Sequence, residues 1–141
     1  MTQPKTIESA STIPGNLPLP IPFIESLGVE LLEMADGHAR ATMTPLPEHM
    51  NSWAVVHGGV LMTLLDVAMA NAALSRIDYA REVVTVDIHV GFLAASRGRL
   101  VATGRATGGG KSICFTEAWV EDETGAIAAR AMGTFRYRDA A

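Results

Sequence analysis

The stretch that decides the fold is His57-Gly58-Gly59-Val60-Leu61-Met62-Thr63-Leu64-Leu65-Asp66-Val67-Ala68-Met69-Ala70-Asn71-Ala72-Ala73. It contains no proline and predicts a helix of about five turns that continues to Arg76. Apolar residues occupy almost every side of this helix, which is typical of a helix buried in a core. Two features do not suit a purely structural helix: the glycine pair at its start and the carboxylate of Asp66 in its middle.

The glycine pair indicates a helix start that can bind a partial negative charge. Gly58 and Gly59 lack a Cβ atom, so another group can approach their backbone closely. The N–H groups of the first turn have no partner inside the helix, and they suit a carbonyl oxygen that gains negative charge. A tight loop-to-helix turn packed against a strand would explain the same residues without chemistry.

Asp66 is a carboxylate in apolar surroundings. Such a group is unfavourable unless it is paired, hydrogen-bonded or used in chemistry. Thr63 and Ala70 lie one turn away and give Asp66 a face of small residues on which a ligand can lie. The alternative is a carboxylate bonded to backbone N–H groups or to an arginine. Donors at the helix start and a carboxylate about two turns later together indicate an acyl-transfer site.

Composition limits the class of protein. The 141 residues predict one domain, and an apolar content of 48% predicts a surface buried against another subunit. A net charge of −4 without a basic run argues against nucleic acid as a partner. The single cysteine, Cys114, excludes an intramolecular disulfide and is typical of a reducing compartment. We see neither a signal peptide nor an uninterrupted membrane span, and we expect a cytoplasmic protein with no membrane partner.

The order of elements predicts the architecture. Residues 1–20, rich in Thr, Ser and Pro, predict a poorly ordered N-terminal arm, and residues 21–141 a single domain. A short helix from Pro22 to Gly28 is followed by strands over 29–34 and 38–44, the long helix, and strands over 83–93, 100–107, 113–120 and 127–137. We therefore expect an α+β fold in which a curved antiparallel sheet of about six strands wraps one helix, with dimerisation to protect its edges.

The strand after the long helix alternates strongly. This alternation predicts an apolar and a polar face, formed by Val84, Val86, Ile88, Val90 and Phe92 and by Thr85, Asp87 and His89, respectively.

Several kinds of chemistry are excluded by spacing. The four histidines, at positions 38, 49, 57 and 89, lack the spacing of metal ligands, and no nucleophilic-serine elbow is present. Gly108-Gly109-Gly110-Lys111-Ser112 resembles the end of a P-loop but lacks its first-glycine spacing and precedes a strand, which excludes nucleotide hydrolysis. This segment could hold a phosphate through its N–H groups and Lys111, or it could be a flexible turn with a solvated lysine.

Asn51-Ser52-Trp53-Ala54-Val55-Val56-His57-Gly58-Gly59, followed by Asp66, resembles the hotdog-fold acyl-CoA thioesterases and most closely their phenylacetate-pathway (PaaI-type) branch. The strand Val84-Thr85-Val86-Asp87 and the turn Gly110-Lys111 are similar to that branch too, and the similarity covers roughly residues 21–138. The resemblance implies a long helix wrapped by an antiparallel sheet, dimers joined edge to edge that commonly pair into tetramers, and active sites at the dimer interface. Asp66 of one subunit is then expected to face Asn51, His57 and Gly58 of the other.

The resemblance also implies an activity, the hydrolysis of a small or medium acyl-CoA, aryl groups included, to the free acid and CoA. CoA is part of the substrate, and no separate cofactor is expected. The Gly58 N–H would hold the carbonyl oxygen, and Asp66 would either attack to give a mixed anhydride or deprotonate a water. Asn51 and Thr85 would orient that water, and His57 would help to hold the loop and the carbonyl, unless it is only a helix-start residue bonded to backbone.

The rest of the substrate is expected along the surface, with the CoA phosphates near Arg97 and the turn formed by Gly109, Gly110, Lys111 and Ser112. Trp53 is bulky, and Ala54 stands where the family commonly has glycine, so we expect both to narrow the acyl pocket or to shift the loop. A non-catalytic acyl-CoA-binding protein on the same fold is the alternative function. A hydratase-dehydratase is a less well supported hypothesis, because the Asp/His motif of those enzymes is not seen in this sequence.

Overall fold

The computed structural model describes residues 5–6 and 21–140 of the chain. The arm predicted over residues 1–20 lies outside these described residues, except for β1 (Lys5–Thr6), which pairs with the sheet. The other elements follow in the predicted order: α1 (Pro22–Ser26), β2 (Glu30–Ala35), β3 (His38–Met43), α2 (Gly58–Arg76), β4 (Glu82–Phe92), β5 (Leu100–Gly109), β6 (Ile113–Glu121) and β7 (Ile127–Arg138). A single 3-10 turn, Pro47–His49, precedes α2.

The strands form one antiparallel sheet with the order β1-β2-β3-β5-β6-β7-β4. Helix α2 packs against one face of this sheet, which confirms the predicted fold of one long helix wrapped by about six main strands. Six large side chains of the core are almost completely buried between the two layers: Met43, Leu64, Leu65, Leu100, Val120 and Phe135. Burial of each such side chain stabilises the fold by about 1.5–3 kcal/mol relative to its exposure.

Helix and sheet approach most closely at Gly104 on β5. A Cβ atom at this position would lie 2.5 Å from the carbonyl oxygen of Ala68. Glycine therefore allows α2 to lie directly on the sheet, and this contact fixes the helix as the rigid support of the site.

Helix α2 consists mainly of residues with high helix propensity, and the side chain of His57 accepts a hydrogen bond from the Gly59 N–H at its start. Ten of its residues are buried, and their burial beneath the sheet accounts for a composition apolar enough to span a membrane. The prediction that every side is buried is wrong for a single chain. An open strip remains along the helix, formed by Gly59, Met62, Thr63, Asp66 and Ala70.

Strand β4 departs from strict alternation at Val86. Thr85 pairs with Phe135 and Asp87 pairs with Thr134, so Val86 is the extra residue of a β-bulge. Thr85 therefore faces α2 together with Ile88, Val90 and Phe92, and Val84 faces outward. The predicted faces were wrong for Val84 and Thr85, because the extra residue reverses the alternation on one side of the bulge.

Candidate active site

Asp66 lies in the open strip of α2, opposite the bulge of β4. Its Oδ1 accepts a hydrogen bond of 2.8 Å from the Thr85 hydroxyl. Burial raises the pKa of Asp66 above its usual value, and the hydrogen bond from Thr85 partly opposes this increase. In the described part of the chain, no arginine or lysine forms an ion pair with Asp66. The carboxylate is therefore held by a neutral donor and is not neutralised by a cation, which leaves it able to act as a general base or as a nucleophile.

The two glycines at the start of α2 have different environments. The Gly59 N–H donates to Nδ1 of His57 at 2.9 Å, so this imidazole caps the helix. The Gly58 N–H has no acceptor among the described residues. The Phe92 ring lies beside Gly58, where a Cβ atom would be 3.2 Å from Cε1 of the ring. Of the two, the Gly58 N–H is therefore the donor available to a ligand.

The loop before α2 is held by hydrogen bonds within the loop and by two bonds to the segment Ser96–Arg97. The Asn51 Oδ1 accepts from the N–H groups of Trp53 (2.9 Å) and Val55 (3.3 Å). The buried His49 accepts from the Leu46 N–H at its Nδ1, and its carbonyl accepts from the His57 N–H. Asn51 thus shapes the loop with its oxygen and keeps its amide N–H₂ for other partners. His49 has a structural role that the sequence did not indicate, because its contacts depend on how the loop folds.

A single chain does not bring the donor and the acid together. Gly58 and Asp66 are eight residues apart in one helix, which corresponds to about 12 Å along its axis. One thioester carbonyl cannot contact both groups over that distance. The structure therefore places Asp66 with Thr85, and Asn51 with the loop that ends at His57 and Gly58, as two separate halves of the predicted site.

The residues predicted to hold CoA also lie apart in one chain. Arg97 donates from Nε to the Ala54 carbonyl at 3.1 Å, close to the start of α2. The turn Gly109–Ser112 lies at the far end of β5, and the ten residues of this strand span about 30 Å. Arg76 and Arg81 donate to the carbonyls of Gly110 and Lys111, so the turn is braced by two cations that the sequence did not indicate.

A cavity of about 310 Å³ opens beside the helix start, between α1, the preceding loop and the first turns of α2. Its lining is mostly apolar and consists of Phe23, Leu27, Glu48, His49, Met50, His57, Gly59, Val60 and Thr63. Trp53 is not part of this lining and is 79% exposed in the single chain, and its effect on the acyl pocket or on the position of the loop stays a prediction. Ala54 has a φ of 56°, the left-handed conformation that favours glycine.

No group of three or more His, Cys, Asp or Glu side chains is arranged to hold a metal ion within residues 21–140. Asp66 and His57, the two titratable side chains among the predicted catalytic residues, belong to different halves of the site.

Comparison with known proteins identifies the family. Residues 54–129, more than half of the chain, match the thioesterase superfamily model. The chain belongs to the thioesterase superfamily. A protein of Archaeoglobus fulgidus is 30% identical over 114 residues, which cover 79% of this chain and 72% of that protein. A medium/long-chain acyl-CoA thioesterase of Salmonella typhimurium is 27% identical over 131 residues, 82% of this chain and 84% of the relative.

Solved structures show the same fold. A conserved Pseudomonas aeruginosa protein superimposes with a TM-score of 0.80 at 26% identity, over 84% of this chain and 95% of the other. The Escherichia coli PaaI protein from the phenylacetic acid degradation operon has a TM-score of 0.77 at 24% identity, over 82% and 83% of the two chains. The hotdog fold of this thioesterase-superfamily protein is therefore confirmed.

Proposed function

We propose that this protein hydrolyses the thioester bond of acyl-CoA at a site completed by two subunits. The observation that carries the proposal is Asp66, a carboxylate with a raised pKa that is hydrogen-bonded to Thr85 on the uncovered strip of an otherwise buried helix. Membership of the thioesterase superfamily supports the reaction class, and the acyl-CoA thioesterase among the relatives supports the substrate class.

Two uncovered surfaces, the edge of β4 and the outer face of the sheet, support the association of several subunits. Among the described residues, strand β4 is an edge strand that pairs only with β7, and its other edge can accept another strand. Antiparallel pairing of two β4 edges would set the α2 helices side by side in opposite directions. This arrangement would bring Asp66 of one subunit towards the Gly58 N–H of the other. Phe115 and Met132, both more than half exposed on the outer face of the sheet, favour further pairing into a tetramer.

In the proposed reaction, the Gly58 N–H holds the thioester oxygen and stabilises the negative charge that develops on it. One such donor contributes about 3–4 kcal/mol to transition-state stabilisation. Thr85 occupies Oδ1 of Asp66, which leaves Oδ2 for chemistry. This oxygen either takes a proton from water, whose oxygen attacks the carbonyl carbon, or attacks that carbon itself to form an anhydride that water then hydrolyses. In both routes the C–S bond breaks, and CoA leaves as a thiolate that is then protonated.

The other predicted site residues have positioning roles in this proposal. The free amide N–H₂ of Asn51 orients the attacking water together with Thr85, and His57 fixes the helix start that presents Gly58. The apolar cavity of about 310 Å³ beside His57 takes the acyl group, and its size suits a small or medium chain or an aryl group. The CoA phosphates lie near Arg97 and, from the Gly109–Ser112 turn of another subunit, near Lys111. A cytoplasmic location agrees with the single buried cysteine.

A thiol-release assay across short, long and aryl acyl-CoAs tests this proposal. We expect release of free CoA with the wild-type protein and its loss by orders of magnitude in Asp66→Asn, which keeps the size of the side chain. Saturable binding of acyl-CoA without release of thiol would instead support the non-catalytic binding protein.

A further inference from the structure

Trp53 is an exposed indole in an ordered loop. Its side chain is 79% exposed, more than any other large hydrophobic side chain of the described residues. An exposed aromatic side chain on a braced loop is typical of a binding surface, because the indole gives a large contact area at a small cost in conformational entropy.

Local hydrogen bonds hold the backbone that carries the indole. The Trp53 N–H donates to Asn51 Oδ1, the Ala54 N–H donates to the Asn51 carbonyl, and Met50 pairs with Val56 across the base of the loop. The backbone on which the indole stands is therefore defined before any ligand arrives.

A guanidinium group is bonded to the backbone of the same loop. Arg97 donates from Nε to the carbonyl of Ala54, the residue after Trp53, and its side chain is exposed. Within residues 21–140, Arg97 forms no ion pair with a carboxylate. Its two terminal nitrogens can therefore bind an anion at the loop that carries the indole, and guanidinium groups bind phosphate through paired N–H donors.

We propose that Trp53 and Arg97 form a platform for the adenine nucleotide of CoA, with the base stacked on the indole and a phosphate on the guanidinium. This inference rests on the proposed function and adds a specificity determinant to it. A second copy of the chain is a less suitable occupant, since a cation bonded to the same loop, without an ion pair among the described residues, favours an anionic ligand. The same loop continues into His57 and Gly58, so a nucleotide on the platform lies on the substrate's path to the helix start.

Acyl-CoA and the acyl-pantetheine thioester with the same acyl group distinguish nucleotide binding by Trp53 from a role in the acyl pocket or the loop. We expect Trp53→Ala to lower kcat/KM for acyl-CoA by about five- to 150-fold, the range that base stacking on an aromatic side chain contributes. With the acyl-pantetheine thioester, which lacks the nucleotide, Trp53→Ala should react at the same rate as the wild-type protein. Trp53→Phe should retain most of the activity towards acyl-CoA, and Trp119→Phe, on the outer face of the sheet, should affect neither substrate.

Three results of this comparison would overturn the platform. Equal losses with both thioesters would place Trp53 in the loop or acyl pocket, and no loss with either would leave it without a role. Dissociation of the Trp53→Ala oligomer in light scattering would show that another subunit covers the indole. Absence of hydrolysis in the wild-type protein would reject the proposed function, and the binding experiment below would then still test the platform.

A direct binding experiment uses the two tryptophans of the chain. In the Trp119→Phe variant, Trp53 is the only fluorophore of its kind, and adenosine 3′,5′-bisphosphate should quench it in a saturable manner. Arg97→Gln should weaken this binding about tenfold by loss of a charge-assisted contact, whereas the surface control Arg130→Gln should not. Unchanged fluorescence at millimolar nucleotide, or equal affinity in Arg97→Gln, would contradict the proposal.

Discussion

The two halves of the candidate site are built in different ways. The donor half, from Asn51 to Gly59, has several hydrogen bonds between residues a few positions apart, and two bonds to the segment Ser96–Arg97 anchor it to the rest of the chain. The acid half depends on a contact between Asp66 and Thr85, nineteen residues apart on a helix and a strand. The shape of the donor half is therefore largely a local property of its segment, whereas the acid half exists only when the bulge in β4 turns Thr85 towards the helix.

The largest expected effect comes from the acid half. Asp66→Asn should lower kcat by about 10²–10⁴-fold, the usual contribution of a general base, while the acyl-CoA affinity stays similar. Stopped-flow thiol release and equilibrium binding measure the two quantities. A variant that turns over at the wild-type rate would remove Asp66 from the mechanism.

The stability of Asp66→Asn relative to the wild type should depend on pH, and the folded state of the variant can be checked in the same experiment. Because the pKa of Asp66 is raised in the folded protein, its contribution to stability is fully present below its unfolded pKa and is lost as the pH rises through the folded pKa. We therefore expect Asp66→Asn to gain stability relative to the wild type as the pH rises above about 4, the usual pKa of an unfolded aspartate. Thermal unfolding at increasing pH should show the difference grow until Asp66 is ionised in the folded protein, and a constant difference would contradict the raised pKa.

The donor half is tested by removing one N–H group. Gly58→Pro deletes the donor at the first helical position, where proline is tolerated, and His57 already has the extended conformation that precedes proline. We expect kcat to fall about 10²–10³-fold. Gly58→Ala is the control: it keeps the N–H and only presses a methyl group against the half-exposed Phe92 ring, so it should stay within a few-fold of wild type. Equal losses in both variants would assign the effect to the ring contact.

Thr85 gives a smaller effect with a pH signature. Its hydroxyl lowers the pKa of Asp66, so Thr85→Val should raise that pKa further and move the acid limb of the kcat/KM profile to higher pH. The loss should be about fivefold larger on that limb than at higher pH, where Asp66 is ionised in both proteins and only the water-orienting contact of Thr85 is missing. Thr85→Ser retains a hydroxyl and should follow the wild-type profile. A loss of the same size at every pH would show that Thr85 does not lower this pKa.

The smallest effect concerns the backbone of the donor half. Ala54 adopts a left-handed conformation, which is unfavourable for alanine by about 1–2 kcal/mol. Ala54→Gly relieves this strain but increases the entropy of the unfolded chain, so we expect a net stabilisation of about 1 kcal/mol in denaturant unfolding. A destabilised variant would show that the methyl group makes contacts that outweigh the strain.

The contrast between local and long-range contacts also explains which features the sequence could predict. The long helix and six of the seven strands follow from local patterns, and the structure has them within one or two residues of the predicted bounds. The alternation of β4 was misread because a bulge at Val86 leaves no mark in the pattern of apolar residues. Thr85 was selected as a site residue from the family resemblance, although its predicted face was wrong.

Contacts between distant segments account for the remaining differences. The arginines that brace the Gly109–Ser112 turn come from the end of α2 and from the segment that follows it, and no spacing rule connects them to a hairpin. The exposure of Trp53 depends on how its loop is anchored to Asn51 and Arg97. The joining of the two halves of the site stays a prediction, because it depends on a second subunit.

Mixing two inactive variants tests this joining most directly. Asp66→Asn and Gly58→Pro proteins, each purified alone and then unfolded and refolded together, form mixed dimers in which one site has both intact groups and the other has neither. With random pairing, the shared site predicts recovery of about a quarter of the wild-type activity. A mixture that stays as inactive as its two components would show that donor and acid act within one chain, and would contradict the account.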